Sequence, residues 1–441
     1  MSKVERYRAV LGLGLPIVGG MISQNVLNLV DTAMVGSLGD DALAGVGTGS
    51  FLNFMAIAFV MGFASGVQAM VSRRVGEGRE DESAVPLNGA LLLIVIFTIP
   101  WAALLYQLVP TFFPLVNDSS AVVDVGVPYL QARLCGIVAV AMNFSFRGFW
   151  NGIKRPMLYL YTLVVMHAVN IGLNYVLIFG KLGAPELGAT GAGVASAVSV
   201  WVGFATYMLL GMRHAKDRGF LRGLPDKKTI RTMLRLSVPT GVQQLLFSGG
   251  YTMLFWILGQ VGTAATAAAN VIINVMLVAI LPGIAFGIAG ATLVGQALGR
   301  KDPDDAMKWG WDVVTVAVAF VGCLGLPMAL LPDLILGIFI HDPETLALGR
   351  VPLMIFGGTI VLDAVGLVLM NALLGAGASR TTALVSTGCQ WLLFLPAAYV
   401  VGPYLGYGLI GIWIAQAVYR AVQAGIFAAL WKGGRWAAVE V

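Results

Sequence analysis

The sequence predicts an all-α polytopic membrane protein, with twelve transmembrane helices arranged as two pseudo-symmetric six-helix bundles. Three observations predict it. Hydrophobic residues make up 58% of the 441-residue chain and charged residues only 11%, against about 25% charged in soluble domains. The apolar residues gather in runs of about 20 or more, enough to cross ~30 Å of hydrocarbon at 1.5 Å per residue. The second half also repeats landmarks of the first. A chain this apolar has too few charges to cover a water-facing surface, so lipid is its main solvent. There every backbone N–H and C=O must be paired internally, which leaves helices or a closed barrel. The runs do not alternate as barrel strands do, so helices are predicted.

The runs fall at 9–36, 42–72, 85–109, 121–149, 156–180, 187–212, 231–259, 265–298, 306–331, 345–373, 381–402 and 407–431. Their connectors alternate in sign. Lys3, Arg6 and Arg8, then Arg73, Arg74 and Arg79, then Lys154 and Arg155 mark one side; Arg300, Lys301 and Arg380 continue it. Asp40, Asp41, Asp118, Glu186, Asp333, Asp342 and Glu344 mark the other, with Lys181 the main basic exception. The positive-inside rule then predicts an inner (cytoplasmic) membrane protein with both termini cytoplasmic and an even span count. The first run reads on without a small-residue cleavage site, so a retained first helix is expected rather than a signal peptide. The net charge of +5 lies in these short connectors. That is a topological pattern and not a basic groove, so no nucleic-acid partner is expected. Cys135, Cys323 and Cys389 lie far apart inside apolar runs, with no metal-ligand spacing, and read as small buried hydrophobes.

The internal repeat has an offset of 223 residues. It places Pro16 on Pro239, Gly36 and Gly39 on Gly259 and Gly262, Phe63 on Phe286, and Gly76 on Gly299. The expected organisation is a six-helix lobe at 1–212, a basic cytoplasmic connector at 213–230 and a second six-helix lobe at 231–441. Six spans per lobe is even, so the lobes share one topology, related by an axis along the membrane normal. Rocking between such halves gives alternating access.

Polar side chains at membrane depth are costly, about 2.5–3.5 kcal/mol for a central Asp on insertion scales, and so mark candidate sites. Gln24, Asn28 and Asp31 are spaced i, i+4, i+7 and share one ~60° stripe of the first helix. His167, Asn170 and Asn174 form a matching stripe on the fifth span. The simplest assembly sets the two face to face. Burial disfavours the charged form of a carboxylate, and neighbouring amides can bond either protonation state, which is the chemistry of a reversible proton site. In the second half, Asp363 lies inside the tenth span with Thr359 and Asn371 on the same helix; Gln243, Gln244, Asn270 and Asn274 complete an expected second polar interior. Arg147 sits near the cytoplasmic end of its span, where topology accounts for it. Arg133, nearer the outer end, is placed to neutralise Asp124 or Asp118. Pro16 interrupts the first helix and permits a bend.

No G-x-x-x-x-G-K-[ST] loop, H-E-x-x-H or clustered Cys/His pattern occurs, and no soluble domain is long enough to house an enzyme. No catalytic residue, metal or organic cofactor is expected. Transport must draw on an ion gradient, worth roughly 2.3 kcal/mol per charge per 100 mV, with H⁺ as the coupling ion and Na⁺ the alternative.

The segment Val30-Asp31-Thr32-Ala33-Met34-Val35-Gly36 resembles the first-helix signature V-D-T-x-M-x-G of the multidrug and toxic compound extrusion (MATE) family. Pro16, fifteen residues before Asp31, matches the family's bending proline, and the six-plus-six repeat matches over most of the chain. The resemblance implies a MATE/MOP-type fold and export of cationic or lipophilic small molecules in exchange for H⁺ or Na⁺, by a monomer in the lipid bilayer. It implies that Asp31 is the proton-coupling carboxylate, with Asn170 and Asn174 its fifth-helix partners and Gln24, Asn28, His167 and Asp363 accessory cavity residues. Some relatives carry Asp where Asn174 stands. Asp363 matches a tenth-helix carboxylate used for cation binding in NorM-like members, which add a seventh-helix glutamate. Span 231–259 contains no acidic residue, so a DinF-like, proton-coupled subtype is expected over a NorM-like, Na⁺-coupled one. A lipid-precursor flippase of the same superfamily would call for a strongly cationic cavity.

Overall fold

The computed structural model describes residues 1–223 and 225–441; Leu224, within the expected connector, lies outside the described residues. The helices in order are α1 (Lys3–Gly36), α2 (Asp40–Ala58), α3 (Gly62–Gly76), α4 (Val85–Val116), α5 (Ser120–Leu134), α6 (Ile137–Gly152), α7 (Pro156–Ile178) and α8 (Gly188–His214). After the connector come α9 (Lys227–Val261), α10 (Thr263–Gly299), α11 (Pro303–Leu330), the short α12 (Pro332–Leu336), α13 (Pro343–Gly375), α14 (Ser379–Gly388), α15 (Leu395–Tyr399) and α16 (Gly408–Lys432). No strand occurs among the described residues. Two π-helical stretches, Cys389–Phe394 and Val400–Tyr404, keep α14 and α15 within one continuous span.

Every predicted run is helical. Among the described residues ten helical segments are long and apolar enough to cross a membrane, and α5–α6, bent by 48°, makes eleven if the pair is counted as one span. The seventh predicted run forms α9, which is long enough but more polar: it carries Lys227, Lys228, Arg231 and Arg235 in its first turns and Gln243–Gln244 further on. At two helix starts an aspartate supplies the acceptor. Asp302 accepts the Asp305 N–H at α11 and Asp342 the Thr345 N–H at α13, each at 2.9 Å. Pro at the first position presets φ at both.

The chain divides into two compact units. One, unit N, comprises Gly19–Arg74 and Arg79–Gly241; the other, unit C, comprises Met1–Val18, Val75–Gly78 and Val242–Val441. The internal repeat suggested boundaries at 212 and 231, whereas the units change inside two helices. α1 changes unit between Val18 and Gly19, two residues after Pro16, and α9 between Gly241 and Val242, two residues after Pro239.

Lipid tails are as apolar as leucine, so helices in a membrane associate by close packing at small residues. In unit N, Gly148 lies against the Ala64 backbone and Gly152 against Val71 and the Gln68 carbonyl. Phe146 stacks on Tyr207 at 5.2 Å and Phe149 meets Trp150 edge-on at 4.9 Å. In unit C, Phe286, Trp309, Phe356, Trp413 and Trp431 anchor a continuous core. Arg6 fastens the start of α1 to α11, pairing with Asp305 at 2.6 Å and with Asp312, over the Trp309 ring at 3.8 Å. The repeat is visible in contacts as well as in residues. Gly126 on Phe113 is matched by Gly349 on Leu336, and Gly152 on the Gln68 carbonyl by Gly375 on that of Ala291, each partner 223 positions on. Cys389 is buried, but Cys135 and Cys323 are exposed. The expectation of three buried thiols fails for two of them, because a span packed on one side leaves its other side uncovered by protein.

Candidate functional site: a polar cavity in unit N

The α1 and α7 stripes meet inside unit N, as their spacing predicts. Asn174 donates from Nδ2 to Asp31 Oδ1 at 2.6 Å and to Asn170 Oδ1 at 3.1 Å. Asn170 donates in turn to the Ser196 hydroxyl of α8 at 3.2 Å. Both asparagines are buried and Asp31 is half-buried. The Asn174 Oδ1 is buried with no hydrogen-bond partner. One helical turn or two below, His167 Nδ1 is 2.9 Å from Ser23 Oγ, and its Nε2 is 3.4 Å from Gln24 Oε1. Gln24 reaches Asn28 at 3.4 Å. The sequence stripes did not include Ser23 or Ser196. A hydroxyl is common on membrane helices and satisfies itself on its own backbone, so neither carries a spacing signal.

Asp31, Gln24 and Asn28 line a cavity of about 540 Å³, together with Ser50, Asn53, Tyr129, Met166 and Tyr207. That is within the ~300–1,000 Å³ range of small-molecule sites. Among the described residues Asp31 is the only carboxylate on its wall, and Arg133 and Arg147 are its two cations. Arg133, which the sequence set opposite Asp118 or Asp124, lines the same cavity as Asp31. Arg147, which topology alone had accounted for, also faces the cavity.

Unit C carries a different arrangement. Asp363 is buried, and its Oδ1 is 2.9 Å from Nε of Arg420 on α16, itself buried. Arg420 also donates to Gln423 at 3.2 Å. Arg420 was missed in the sequence, although an arginine in the middle of the last span has to find a counter-charge. Asn371 and Thr359 bond carbonyls of their own helix at 2.8 Å. Asn270 and Asn274 are exposed and bonded to each other, so they do not join Asp363 in one interior. Gln243 instead donates to Ser386 at 3.2 Å. A cavity beside Arg420 holds about 10 Å³, room for about one water.

The repeat relates the two units residue by residue. The Gln24–His167 contact has its counterpart in Gln390, which donates to the Phe247 carbonyl at 3.2 Å. Leu254 stands at the position equivalent to Asp31 and Ala397 at that of Asn174. The carboxylate–amide chain therefore belongs to unit N alone.

Comparison with known proteins agrees with this architecture. A model of the MatE family matches residues 16–176 and again 239–400, the two copies beginning at Pro16 and Pro239. A probable multidrug resistance protein NorM of Mannheimia succiniciproducens is 25% identical over 96% of the chain and 92% of its own length. One from Synechococcus is 28% identical over 95% and 92%. A crystal structure of a MATE protein in the straight conformation superposes with a TM-score of 0.88 at 19% identity, covering 97% of this chain and 96% of that one. Two matched repeats spanning most of the sequence, on a helical fold with ten or more apolar spans, make this chain a member of the MatE family of multi-pass membrane transporters.

Proposed function

We propose that the chain is a proton-driven exporter of small molecules, DinF-like in placing its coupling site in unit N. It would work as a monomer in the inner membrane with both termini cytoplasmic. The observation that carries the reading is the bond from Asn174 to Asp31 at 2.6 Å, at the single carboxylate of the cavity. As a carboxylate Asp31 accepts the Asn174 N–H. Once protonated it has to donate, and the unpartnered Asn174 Oδ1 is the acceptor that turning the amide supplies. Asn170 would turn with it, and the Ser196 hydroxyl, which can donate as well as accept, closes the chain. One proton at Asp31 thus reverses a four-residue relay that ties α1 to α7 and α8. Substrate held against the ionised Asp31 would be released by that proton, which is the exchange an antiporter needs.

A sodium-driven exporter would use Asp363 as a cation ligand. The Arg420 guanidinium 2.9 Å away already supplies that carboxylate with a positive charge, which favours the proton reading. The deciding experiment is dye efflux in everted vesicles, under an imposed pH gradient without sodium and then under a sodium gradient without a pH difference. Activity in the first is expected; activity confined to the second overturns the proposal.

A further inference from the structure

The cavity in unit N has a charge balance that a receptor for plain organic cations does not need. One carboxylate, Asp31, faces two guanidiniums, Arg133 and Arg147. With Asp31 ionised the wall keeps one positive charge, and with Asp31 protonated it keeps two. Of the two guanidiniums, Arg147 is the one set against aromatic rings. Its guanidinium lies over the Phe144 ring at 4.5 Å and 5.9 Å from that of Tyr159. It makes no hydrogen bond or ion pair with any described residue, and it is half-buried. An arginine retained only for topology would turn to the aqueous face. This one lies against aromatic rings of the cavity wall, with no protein group accepting from its guanidinium. A planar fork of that kind is matched by a carboxylate, sulfonate or phosphate.

The coupling scheme decides what kind of anion. Protonating Asp31 makes the cavity more positive and would tighten the hold on a simple anion. Proton and anion would then bind together, which is the thermodynamics of cotransport and not of exchange. A substrate with a cationic group at Asp31 and an anionic group at Arg147 satisfies both constraints: the proton competes with one end, and the arginine holds the other. Arg133 and Arg147 are fourteen residues apart along α5–α6, about 20 Å of chain at 1.5 Å per residue, so the cavity wall that carries both is long. We infer that Arg147 is an anion-recognition residue of the substrate cavity, and that the preferred substrates are elongated zwitterionic amphiphiles. The inference rests on the antiport reading above.

The test uses an indocarbocyanine cation and the same dye with one N-alkyl chain ending in a carboxylate. Binding to purified full-length protein in nanodiscs is read by fluorescence anisotropy, and efflux is read in everted vesicles. The wild type is expected to bind the carboxylate dye about tenfold or more tightly than the cation, as a charge-assisted pair provides. Arg147→Gln should abolish that preference by weakening the carboxylate dye alone. Arg147→Lys, which keeps the charge, should retain part of it, and thermal unfolding of both variants shows that they fold. Equal weakening of both dyes, or of neither, overturns the anion site. Vesicles that expel neither dye under a pH gradient overturn the exporter reading instead, and the nanodisc result still judges Arg147.

Discussion

Arg420 Nε stands 2.9 Å from Asp363 Oδ1, with both side chains buried in unit C. Removing one partner of a buried pair strands the other charge, at about 3–5 kcal/mol, while replacing both is often close to neutral. Asp363→Asn and Arg420→Gln should therefore each lower the thermal midpoint sharply. The double variant should regain most of the loss. Midpoints measured in detergent by an intrinsic-fluorescence ramp decide it. Single variants as stable as the wild type would mean that the pair is not held together in the membrane.

At Asp31 the expectation is the opposite: little change in stability and a large loss of function. Asp31→Asn keeps the volume and still accepts the Asn174 N–H, so the relay survives in one orientation. It should express normally and lose pH-driven efflux. Asn174→Leu should also depress efflux, because protonated Asp31 then has no amide to donate to, and Ser196→Ala less so, since Ser196 only ends the chain. Undiminished efflux by Asp31→Asn vesicles would remove this residue from the coupling mechanism.

The α1 and α7 stripes were legible because helical geometry fixes which residues share a face, and Gln24, Asn28 and Asp31 had no other way to avoid lipid. Pairing across helices was not. Asp363 and Arg420 are 57 positions apart on α13 and α16, and nothing in either helix's period names the other. The place of Arg147 on the cavity wall was not legible, because a basic residue near a span's end satisfies the positive-inside rule whichever way it points. Asn270 and Asn274 read as interior because a polar pair is expensive in lipid; bonding to each other at 3.2 Å meets part of that cost without any interior. The unit boundaries inside α1 and α9 were hidden for a further reason: a repeat reports ancestry of sequence, while packing follows which half of each helix meets which neighbours.

Outside the spans, pH acts through a helix cap. The Thr345 hydroxyl and N–H bond Asp342 and hold its carboxyl below the usual range. A folded-state value below the unfolded one, near 3.9, means that the contribution is present above the unfolded value and is lost as pH falls through the folded one. Amide exchange at 344–346, in the first turn of α13, should rise relative to the helix interior as the medium is taken below about pH 4. Asp342→Ala should show fast exchange there already at neutral pH and no acid step. A first turn indifferent to both changes would leave the cap without a role.

Pro16 and Pro239 each sit two residues before the point where their helix passes from one unit to the other. A proline withholds one N–H from its helix and crowds the preceding turn, so it lowers the cost of bending where it stands. If the two units change their arrangement during transport, these helices have to bend at those points, and the relay on Asp31 lies on the unit N side of the first. Pro16→Ala and Pro239→Ala restore a backbone bond and stiffen the helix, so stability should hold or rise while turnover falls. The larger drop is expected at Pro16, because α1 also carries the proton site. Binding of dye to the resting protein should change little in either variant. Efflux rate and binding affinity measured side by side separate the two effects. Wild-type turnover in both alanine variants would show that bending at the prolines is not part of the cycle.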